Sequence, residues 1–538
     1  MRRSADRAVL GARIRTLDDA RPRATAVAWR DGVIVAVGDD ASVREACDAR
    51  TELIDGDGLA IVPGLVDSHQ HPLMGADETV GANLAGLSTL DEVRAALAAE
   101  RTHCAPGQWV QGYGLEYAAF DGFELSGDLL ADAAGGGPAL VTFFDYHTAL
   151  ATPAALAAAG VSGPHPLEGS AEVVCRDGRP TGALLEPPAF QLVTGVMPQP
   201  TDEQRRARRA DALRRMAAAG LTAVHGMDGS PATHDELREL EARGELCVRI
   251  VAPLHVEPET PWEELERWTQ LRDAHGERWR AGVAKFFIDG VIEPGTAWLE
   301  EADAEGRGLE ALWPDTERFT RAVALFARAG FQCATHAIGD RAVRHTLDAY
   351  RAAGASPGVR HRVEHIETLG DEQLARFAAE GVTASMQAIH LQWMRADGSD
   401  PWSRALGPER AGRALRCADL LASGALLALG SDWPVADFDP RAGMAWARLR
   451  RPPGDPSRAP FGPDQVLSAE QALLGYTRGA WRAVGEAAHA GRIAPGMRAD
   501  LTGFAFDPVD CPADDLPGLP VRLTVVAGEP VVHLSAST

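Results

Sequence analysis

Residues Pro63–Pro72 read PGLVDSHQHP, an apolar run that ends in two histidines. Side chains two positions apart on a strand point to the same side, so His69 and His71 can both reach one metal ion. Imidazole is a good ligand for zinc and similar ions. An isolated H-x-H pair is not specific, because two ordinary polar residues at the end of a strand give the same pattern.

Similar apolar runs recur along the chain and alternate with amphipathic helical stretches such as 316–330, TERFTRAVALFARAG. This alternation is typical of parallel β/α architecture. Eight runs have the character of strands: LAIVPGLVDSH, GLTAVHG, CVRIVAPLHV, VAKFFIDG, FQCATHAIG, HRVEHIE, VTASMQAI and ALLALGSDW. Eight strand–helix units predict an α/β fold, a (β/α)8 TIM-type barrel, in which catalytic groups lie at the C-terminal ends of the strands.

Both ends of the chain are rich in short strands separated by turn residues. We predict that residues 1–60 and 489–538 together form a small β-sandwich domain, and that residues 61–488 form the barrel. Roughly 150 residues separate the first barrel strand from the second, far more than a βα loop needs. Residues 80–215 are therefore predicted to be a large insertion subdomain, which could supply walls for a substrate pocket.

The composition excludes several classes of partner. The chain has 538 residues, of which 53 are Lys or Arg and 76 are Asp or Glu, so its formal net charge of -23 repels nucleic acid and anionic membrane surfaces. It has neither a signal-type apolar segment nor the run of roughly 20 apolar residues that a membrane span needs. We expect a cytoplasmic protein with a small-molecule substrate, with assembly into a homo-oligomer left open.

Four more residues of types that bind metals lie at the ends of predicted strands: Lys285, His336, His365 and Asp432. Each has an ordinary alternative by itself; Asp432, for example, could merely cap a helix. Together, however, ligand types fall on the first, fourth, fifth, sixth and eighth strands of one barrel. This distribution predicts a metal site built from His69, His71, Lys285, His336, His365 and Asp432.

Lys285 lies in VAKFFIDG, where apolar neighbours such as Val283 and Phe286 make a charged amine costly to desolvate. Two outcomes are open. The amine could pair with a nearby carboxylate, or its pKa could fall so far that the neutral amine captures carbon dioxide. The resulting carbamate would be an anionic oxygen ligand able to bridge two cations.

The motifs PGLVDSHQHP, AKFFIDG, THAIGDRA, HRVEH and GSDWPV resemble the amidohydrolase superfamily, specifically its amidohydrolase-3 branch of YtcJ-like proteins and N-substituted formamide deformylase. WVQGYGLEY, PTGALLE and RIAPGMRADLTGF extend the resemblance over nearly the whole chain. HAIGDRA and GSDWPV are quite specific to this branch.

The resemblance implies that the H-x-H pair binds one metal with Asp432. It also implies that His336 and His365 bind a second metal and that a carbamate on Lys285 bridges the two. Two zinc ions per subunit are expected, with one zinc as the alternative and other divalent transition metals not excluded.

A metal at such a site lowers the pKa of bound water, for zinc to about 7, and Asp432 is the expected catalytic proton shuttle. We predict a metal-dependent hydrolase that cleaves a non-peptide carbon–nitrogen bond, of amide or N-formyl type, in a small molecule. The same site could instead hydrolyse an ester, a lactone or a cyclic amide, or deaminate its substrate. A non-catalytic regulatory protein on the same scaffold is the alternative from another class.

Four residues near the expected mouth are candidate substrate contacts. His390 resembles a family position near the substrate, although a loop histidine facing solvent is the ordinary alternative. His147 lies in FFDYHTALAT, where relatives usually carry Asp-Gly-His followed by Asn but this chain has Tyr146 and Thr152, a departure that leaves the substrate specificity open. Trp433 could line the pocket or pack in the core. Asp289 follows the fourth strand, where it could hold a ligand's second nitrogen, orient the loop or simply form a turn.

Overall fold

The computed structural model of the chain describes residues 4–105, 107–120, 122–144, 146, 148–167, 171–354 and 358–533. Eight parallel strands, numbered β1–β8 in chain order, form one sheet: Leu65–Gln70, Leu221–Gly226, Arg249–Val256, Trp279–Phe287, Gln332–Ala337, Arg362–His365, Thr383–Met386 and Leu426–Leu429. The circle nearly closes where Gln70, at the end of β1, forms a bridge with Trp433 after β8. The predicted (β/α)8 barrel is confirmed.

The barrel strands are buried on both faces, which explains why they read as nearly continuous apolar runs. All six residues of β5 are buried. The register places Lys285 of β4 opposite Ala334 of β5, and Phe287 opposite His336. In this parallel register the C-terminal ends of neighbouring strands lie side by side. The residues at those ends are therefore brought together at one end of the barrel.

Helices lie between successive strands, and their sequences explain where they form. The helix Thr316–Arg328 begins at Asp315, whose side chain accepts hydrogen bonds from two backbone N–H groups, and it buries Phe319, Val323 and Phe326 along one face. The other α-helices that follow β2–β8 are Pro231–Ala242, Trp262–Trp268, Asp340–Ala353, Asp371–Ala379, Pro401–Ala411, Cys417–Ala422, Pro440–Leu449, Ala469–Gly475 and Arg478–Ala483. In the described parts of the chain, none of the helices is both long and apolar enough to cross a membrane.

The two terminal segments form two further sheets. One contains, in spatial order, Val33–Gly38, Ala26–Arg30, Arg7–Leu10 and Glu52–Asp55. The other contains Glu529–His533, Val521–Val526, Leu501–Phe504, Ala60–Pro63, Arg13–Arg15 and Arg23–Ala24. Side chains from both sheets, among them Val9, Trp29, Ile61 and Leu523, share one buried core. The β-sandwich predicted from both termini is therefore confirmed.

Residues 73–209, with 434–436, form a separate compact unit. Its sheet has six strands in the order Glu172–Arg176, Arg179–Leu185, Thr148–Ala151, Ala139–Phe143, Val110–Leu115 and Ala82–Asn83. Its helices are Met74–Glu78, Leu90–His103, Asp128–Ala131, Pro153–Ala158 and Pro187–Thr194, and the helix Asp202–Ala218 precedes β2 in the chain. Val93, Leu97, Val110 and Phe143 lie in its buried core. The insertion expected after β1 is thus a folded unit with a core of its own.

Candidate metal centre

His69, on β1, is held between two carboxylates. Its Nδ1 lies 2.7 Å from Oε2 of Glu364, and its Nε2 lies 3.1 Å from Oδ1 of Asp432. The first distance is that of a hydrogen bond, which places the ring proton on Nδ1. Nε2 makes no hydrogen bond to any described residue. Its lone pair is therefore free to bind a metal beside Asp432.

His71, two residues further on, has the same arrangement with a different carboxylate. Its Nδ1 lies 3.2 Å from Oδ1 of Asp228, and its Nε2 lies 3.2 Å from Oδ1 of Asp432. Burial lowers the pKa of His71, but the two carboxylates outweigh burial and raise the pKa to about 9. A metal must displace this proton, so affinity for the metal should fall with falling pH.

Glu364 is fixed by a buried ion pair inside the barrel. Arg362, two residues earlier on β6, donates to both Glu364 oxygens and also to Oγ of Ser385 on β7. Burial favours protonation of Glu364, but Arg362 and the hydrogen bond to His69 outweigh it and hold the pKa of Glu364 far below its usual range. Glu364 therefore stays anionic and keeps its orientation towards His69.

Two of the ligand-type residues have strained backbones. Asp432 has φ +64° and His365 has φ +71°, the left-handed region that non-glycine residues rarely occupy. Such strain costs of order 1–3 kcal/mol per residue and is typical of functional sites. His365 is the last residue of β6, and Asp432 lies three residues after the end of β8.

His365 and His336 extend the cluster of imidazoles. The ring centroid of His365 lies 4.5 Å from that of His69 and 4.4 Å from that of His336. Nε2 of His336 lies 3.1 Å from the carbonyl oxygen of Gly290, to which it can donate. Burial, helped by Lys285, lowers the pKa of His336 to about 3, so its ring is neutral and retains a lone pair.

Lys285 is fully buried, and its Nζ makes no hydrogen bond to any described residue. The ring of Phe287 is close to it, with its centroid 4.5 Å from Nζ. Burial lowers the pKa of Lys285 to about 8. No ion pair between Lys285 and a carboxylate occurs within the described ranges, so the salt-bridge alternative lacks a partner.

Lys285 is also the only lysine among the 53 basic residues of the chain, the others being arginines. Arginine stays protonated at any ordinary pH, whereas a lysine amine can become neutral when it is buried. The chain therefore carries its single neutralisable basic side chain at the centre of the site. Composition alone could have drawn attention to this residue.

Two groups of buried side chains have donor atoms that all lie within 4.8 Å of one another. One consists of His69, His71 and Asp432, and the other of His365, His390 and Asp432. Ligand atoms bound about 2.0–2.2 Å from one tetrahedral zinc ion stand roughly 3.3 Å apart. The distances from Asp432 Oδ1 to His69 and His71, 3.1 and 3.2 Å, fit this requirement. The donors and the free Nε2 atom of His69 thus suit a divalent transition metal.

The four residues predicted to contact the substrate do not share one environment. His390, on the 3-10 helix Ala388–Trp393, is buried and faces Asp432. Trp433 is buried, with its ring edge-on to Phe438. The carboxylate of Asp289 accepts hydrogen bonds from three backbone N–H groups, those of Trp298, Ile338 and Gly339, an arrangement that orients two loops. His147 lies outside the described residues.

Four residues that lie around the candidate ligands were not predicted from the sequence. Asp228 follows β2, and the criterion of a ligand type at a strand end would have found it. His255 near the end of β3 is in register with Lys285 and would have met the same criterion. Glu364 directly precedes His365 in HRVEH, but nothing in the pattern relates it to His69. Glu367, whose Oε1 lies 3.6 Å from Nδ1 of His390, is in a loop whose path the sequence does not indicate.

Several known proteins are similar to this chain over most of its length. The chain is 31% identical over 514 residues to the protein LONG AFTER FAR-RED 3 of Arabidopsis thaliana, covering 92% of this chain and 86% of that one. It is 27% identical to the putative amidohydrolase YtcJ of Bacillus subtilis, over 98% and 99% of the two chains. It is 26% identical to the N-substituted formamide deformylase of Arthrobacter pascens, over 98% of each.

Solved structures share the fold. An uncharacterized metal-dependent hydrolase from Pyrococcus horikoshii superposes with a TM-score of 0.74 at 21% identity, covering 94% of this chain and 99% of that one. The model of the amidohydrolase family matches residues 52–532, which include the whole barrel and the C-terminal strands of the sandwich. On this match the chain belongs to the amidohydrolase family and is a hydrolase.

Proposed function

We propose that this chain is a metal-dependent hydrolase that uses metal-activated water to cleave a non-peptide carbon–nitrogen bond, of amide or N-formyl type, in a small molecule. The observation that carries the proposal is the convergence of His69 and His71 on one oxygen of Asp432, each through Nε2 and each with a carboxylate at Nδ1. The formamide deformylase among the relatives supports the choice of bond, because its name describes hydrolysis of an N-formyl group.

The proposed metal ligands are the six predicted from the sequence: His69, His71, Lys285, His336, His365 and Asp432. Buried nitrogen and oxygen donors of this kind suit zinc, and we propose two ions per subunit, with one as the alternative. Carbamylation of Lys285 is part of the proposal. It is supported by a buried amine without a carboxylate partner and by the absence of any other lysine in the chain.

A divalent metal bound at this site would supply a water molecule acidic enough to lose a proton near neutral pH. The chain's own contribution to the reaction is proton transfer and orientation. Burial would raise the pKa of Asp432, but His69 and His71 outweigh burial and hold the pKa well below its usual range, so the carboxyl group is ionised. It can take the proton from the attacking water and pass it to the leaving nitrogen.

Hydrolysis of esters, lactones or cyclic amides, and deamination, would use the same residues. These reactions differ in which atom leaves, which depends on the groups that contact the substrate. The screen that tests the proposal must therefore contain representatives of each class. We propose a small molecule as the partner in every case.

The test combines metal analysis with this screen. The protein, purified after metal-supplemented expression, is assayed on N-formyl and N-acyl amines, cyclic amides, esters and lactones, with and without a chelator. We expect stoichiometric transition metal and chelator-sensitive hydrolysis of an amide or N-formyl compound. A protein without metal would overturn the proposal, and metal-dependent activity confined to esters would overturn the assignment of the bond.

A further inference from the structure

We infer that His390 is a metal ligand, and that with His365 and Asp432 it forms a second metal position separate from the one at the H-x-H pair. We further infer that Glu367 orients His390 for this role. The inference rests on the proposed function and goes beyond it, because the family resemblance implies His336 and His365 as second-metal ligands and indicates for His390 only a contact with the substrate.

The three side chains already form a compact group. Their donor atoms lie within 4.8 Å of one another, and Nε2 of His390 lies 3.8 Å from Oδ2 of Asp432. All three are buried. Nε2 of His390 and Nδ1 of His365 make no hydrogen bond to any residue that the structure describes. Buried ring nitrogens without a partner are costly, and a bound cation would satisfy them.

His390 repeats the arrangement of the two H-x-H imidazoles. In all three rings a carboxylate faces Nδ1 and Asp432 faces Nε2. For His390 the carboxylate is Glu367, with Oε1 at 3.6 Å from Nδ1. Histidines that bind metals commonly donate the other ring N–H to a carboxylate, which sets the tautomer and the orientation of the ring. His390 therefore has the surroundings of a ligand.

Glu367 is itself held in place. Its Oε2 accepts a hydrogen bond of 2.8 Å from Nε1 of Trp402, and both residues are buried. Its Oε1 is the oxygen that faces His390. A carboxylate fixed at one oxygen and directed at an imidazole with the other can act as a positioning group without touching the metal.

Asp432 can serve two positions because its oxygens face different histidines. Oδ1 lies 3.1 Å and 3.2 Å from Nε2 of His69 and His71. Oδ2 is the oxygen nearer to His390. One carboxylate oxygen thus faces the H-x-H pair and the other faces His390. This is the arrangement expected of a carboxylate that is shared between two cations.

His336 can share the second position through Nδ1. Its Nε2 is 3.1 Å from the carbonyl oxygen of Gly290, and its ring stacks on Phe287 at 4.8 Å between centroids. Donation to this carbonyl leaves Nδ1 for a metal, because a ligating histidine commonly donates its other ring N–H to a backbone carbonyl. Neither of the two ligand groups found among the described residues includes His336. His390 adds a further imidazole to the donors at this position.

The test is metal stoichiometry in the full-length protein, measured by elemental analysis, together with the visible absorption of the Co2+-substituted protein. We expect two equivalents in the wild type and one in His390→Ala, with loss of about half of the Co2+ absorption. His275→Ala, which removes an exposed histidine, is the matched control and should retain two equivalents. Circular dichroism checks that each variant is folded.

Glu367→Gln provides a second variant that preserves size. We expect the affinity for the second Co2+ to fall about 10- to 100-fold while the first is unchanged, as is typical when the partner of a ligating histidine is removed. Two equivalents in His390→Ala, unchanged titration of Glu367→Gln, or a single equivalent in the wild type would each overturn the inference. A wild type without any metal would instead overturn the proposed function.

Discussion

Nδ1 of His69 lies 2.7 Å from Oε2 of Glu364, a contact that joins β1 to β6 across the interior of the barrel. The same carboxylate is paired with Arg362 on its own strand. A buried charge pair is thus coupled to the tautomer of a histidine in the candidate metal centre. Glu364 therefore links the buried ion pair inside the barrel to the orientation of His69 in the candidate metal centre.

Glu364→Gln should therefore affect both metal binding and stability. Without the carboxylate, His69 loses the acceptor for its Nδ1 proton, and metal affinity should fall about 10- to 100-fold. Arg362 would keep a buried charge without its partner, which typically costs about 3–5 kcal/mol. Competition with a chelator measures the affinity, and thermal unfolding of the metal-free protein measures the stability.

Glu317→Gln makes the same chemical change at an exposed position, where the side chain is 89% accessible, and should leave both quantities unchanged. Wild-type metal affinity in a folded Glu364→Gln protein would show that His69 does not need this carboxylate.

Asp432→Asn should slow hydrolysis strongly while leaving the barrel folded. The amide has no charge with which to accept a proton, and loss of a general base typically lowers the rate about 10²- to 10⁴-fold. Rates on the best substrate from the screen, measured at saturating metal, test this expectation. Asp397→Asn, at an exposed loop position, is the control. Unchanged turnover by Asp432→Asn would remove Asp432 from the chemistry.

Carbamylation of Lys285 should depend on pH in a definite direction. Only the neutral amine reacts with carbon dioxide, and burial lowers the pKa of Lys285 to about 8. At a fixed concentration of dissolved carbon dioxide, the rate of carbamylation of metal-free protein should rise with pH and level off above about 8. Carbon-13 NMR after addition of labelled bicarbonate measures the rate.

Because Lys285 is the only lysine of the chain, a carbamate signal can otherwise come only from the terminal amine. Lys285→Met removes the side-chain source and keeps an apolar stem of similar length. The wild type should show a signal that Lys285→Met lacks. Identical spectra of the two proteins would exclude the carbamate.

The fold could be predicted because the barrel strands are buried on both faces and so appear as apolar runs in chain order. The candidate ligands were visible for a related reason: β1 and β4–β6 each carry residues of ligand type within or near the C-terminal end of an apolar run. The sequence did not predict contacts made by loop residues or contacts between residues on different sides of the barrel. Glu367 approaches His390 from a loop, and Glu364 meets His69 only because β1 and β6 face each other across the interior.

A stability prediction concerns the sandwich, where Asp507 joins the C-terminal segment to the N-terminal one. Its carboxylate accepts from Arg15, at 2.8 Å, and Arg23, at 3.0 Å, and also from the backbone N–H of Val509. Burial tends to raise the pKa of Asp507, but these partners outweigh burial and lower the pKa below its ordinary value of 3.8. The carboxylate is therefore better stabilised in the folded chain than in the unfolded chain.

Asp507→Asn should lower the free energy of unfolding at pH 7 by about 1–2 kcal/mol, because charged hydrogen bonds are lost while solvent screens the half-exposed Arg23. A lowered pKa in the folded state contributes stability above pH 3.8 that disappears as the pH falls through the folded value. The difference between wild type and variant should therefore be largest near neutral pH and shrink below about pH 4. Denaturant unfolding at several pH values measures it, with Asp510→Asn, at a more exposed neighbouring carboxylate, as the control. A difference that stays constant down to pH 2 would show that the charge of Asp507 is not what stabilises the sandwich.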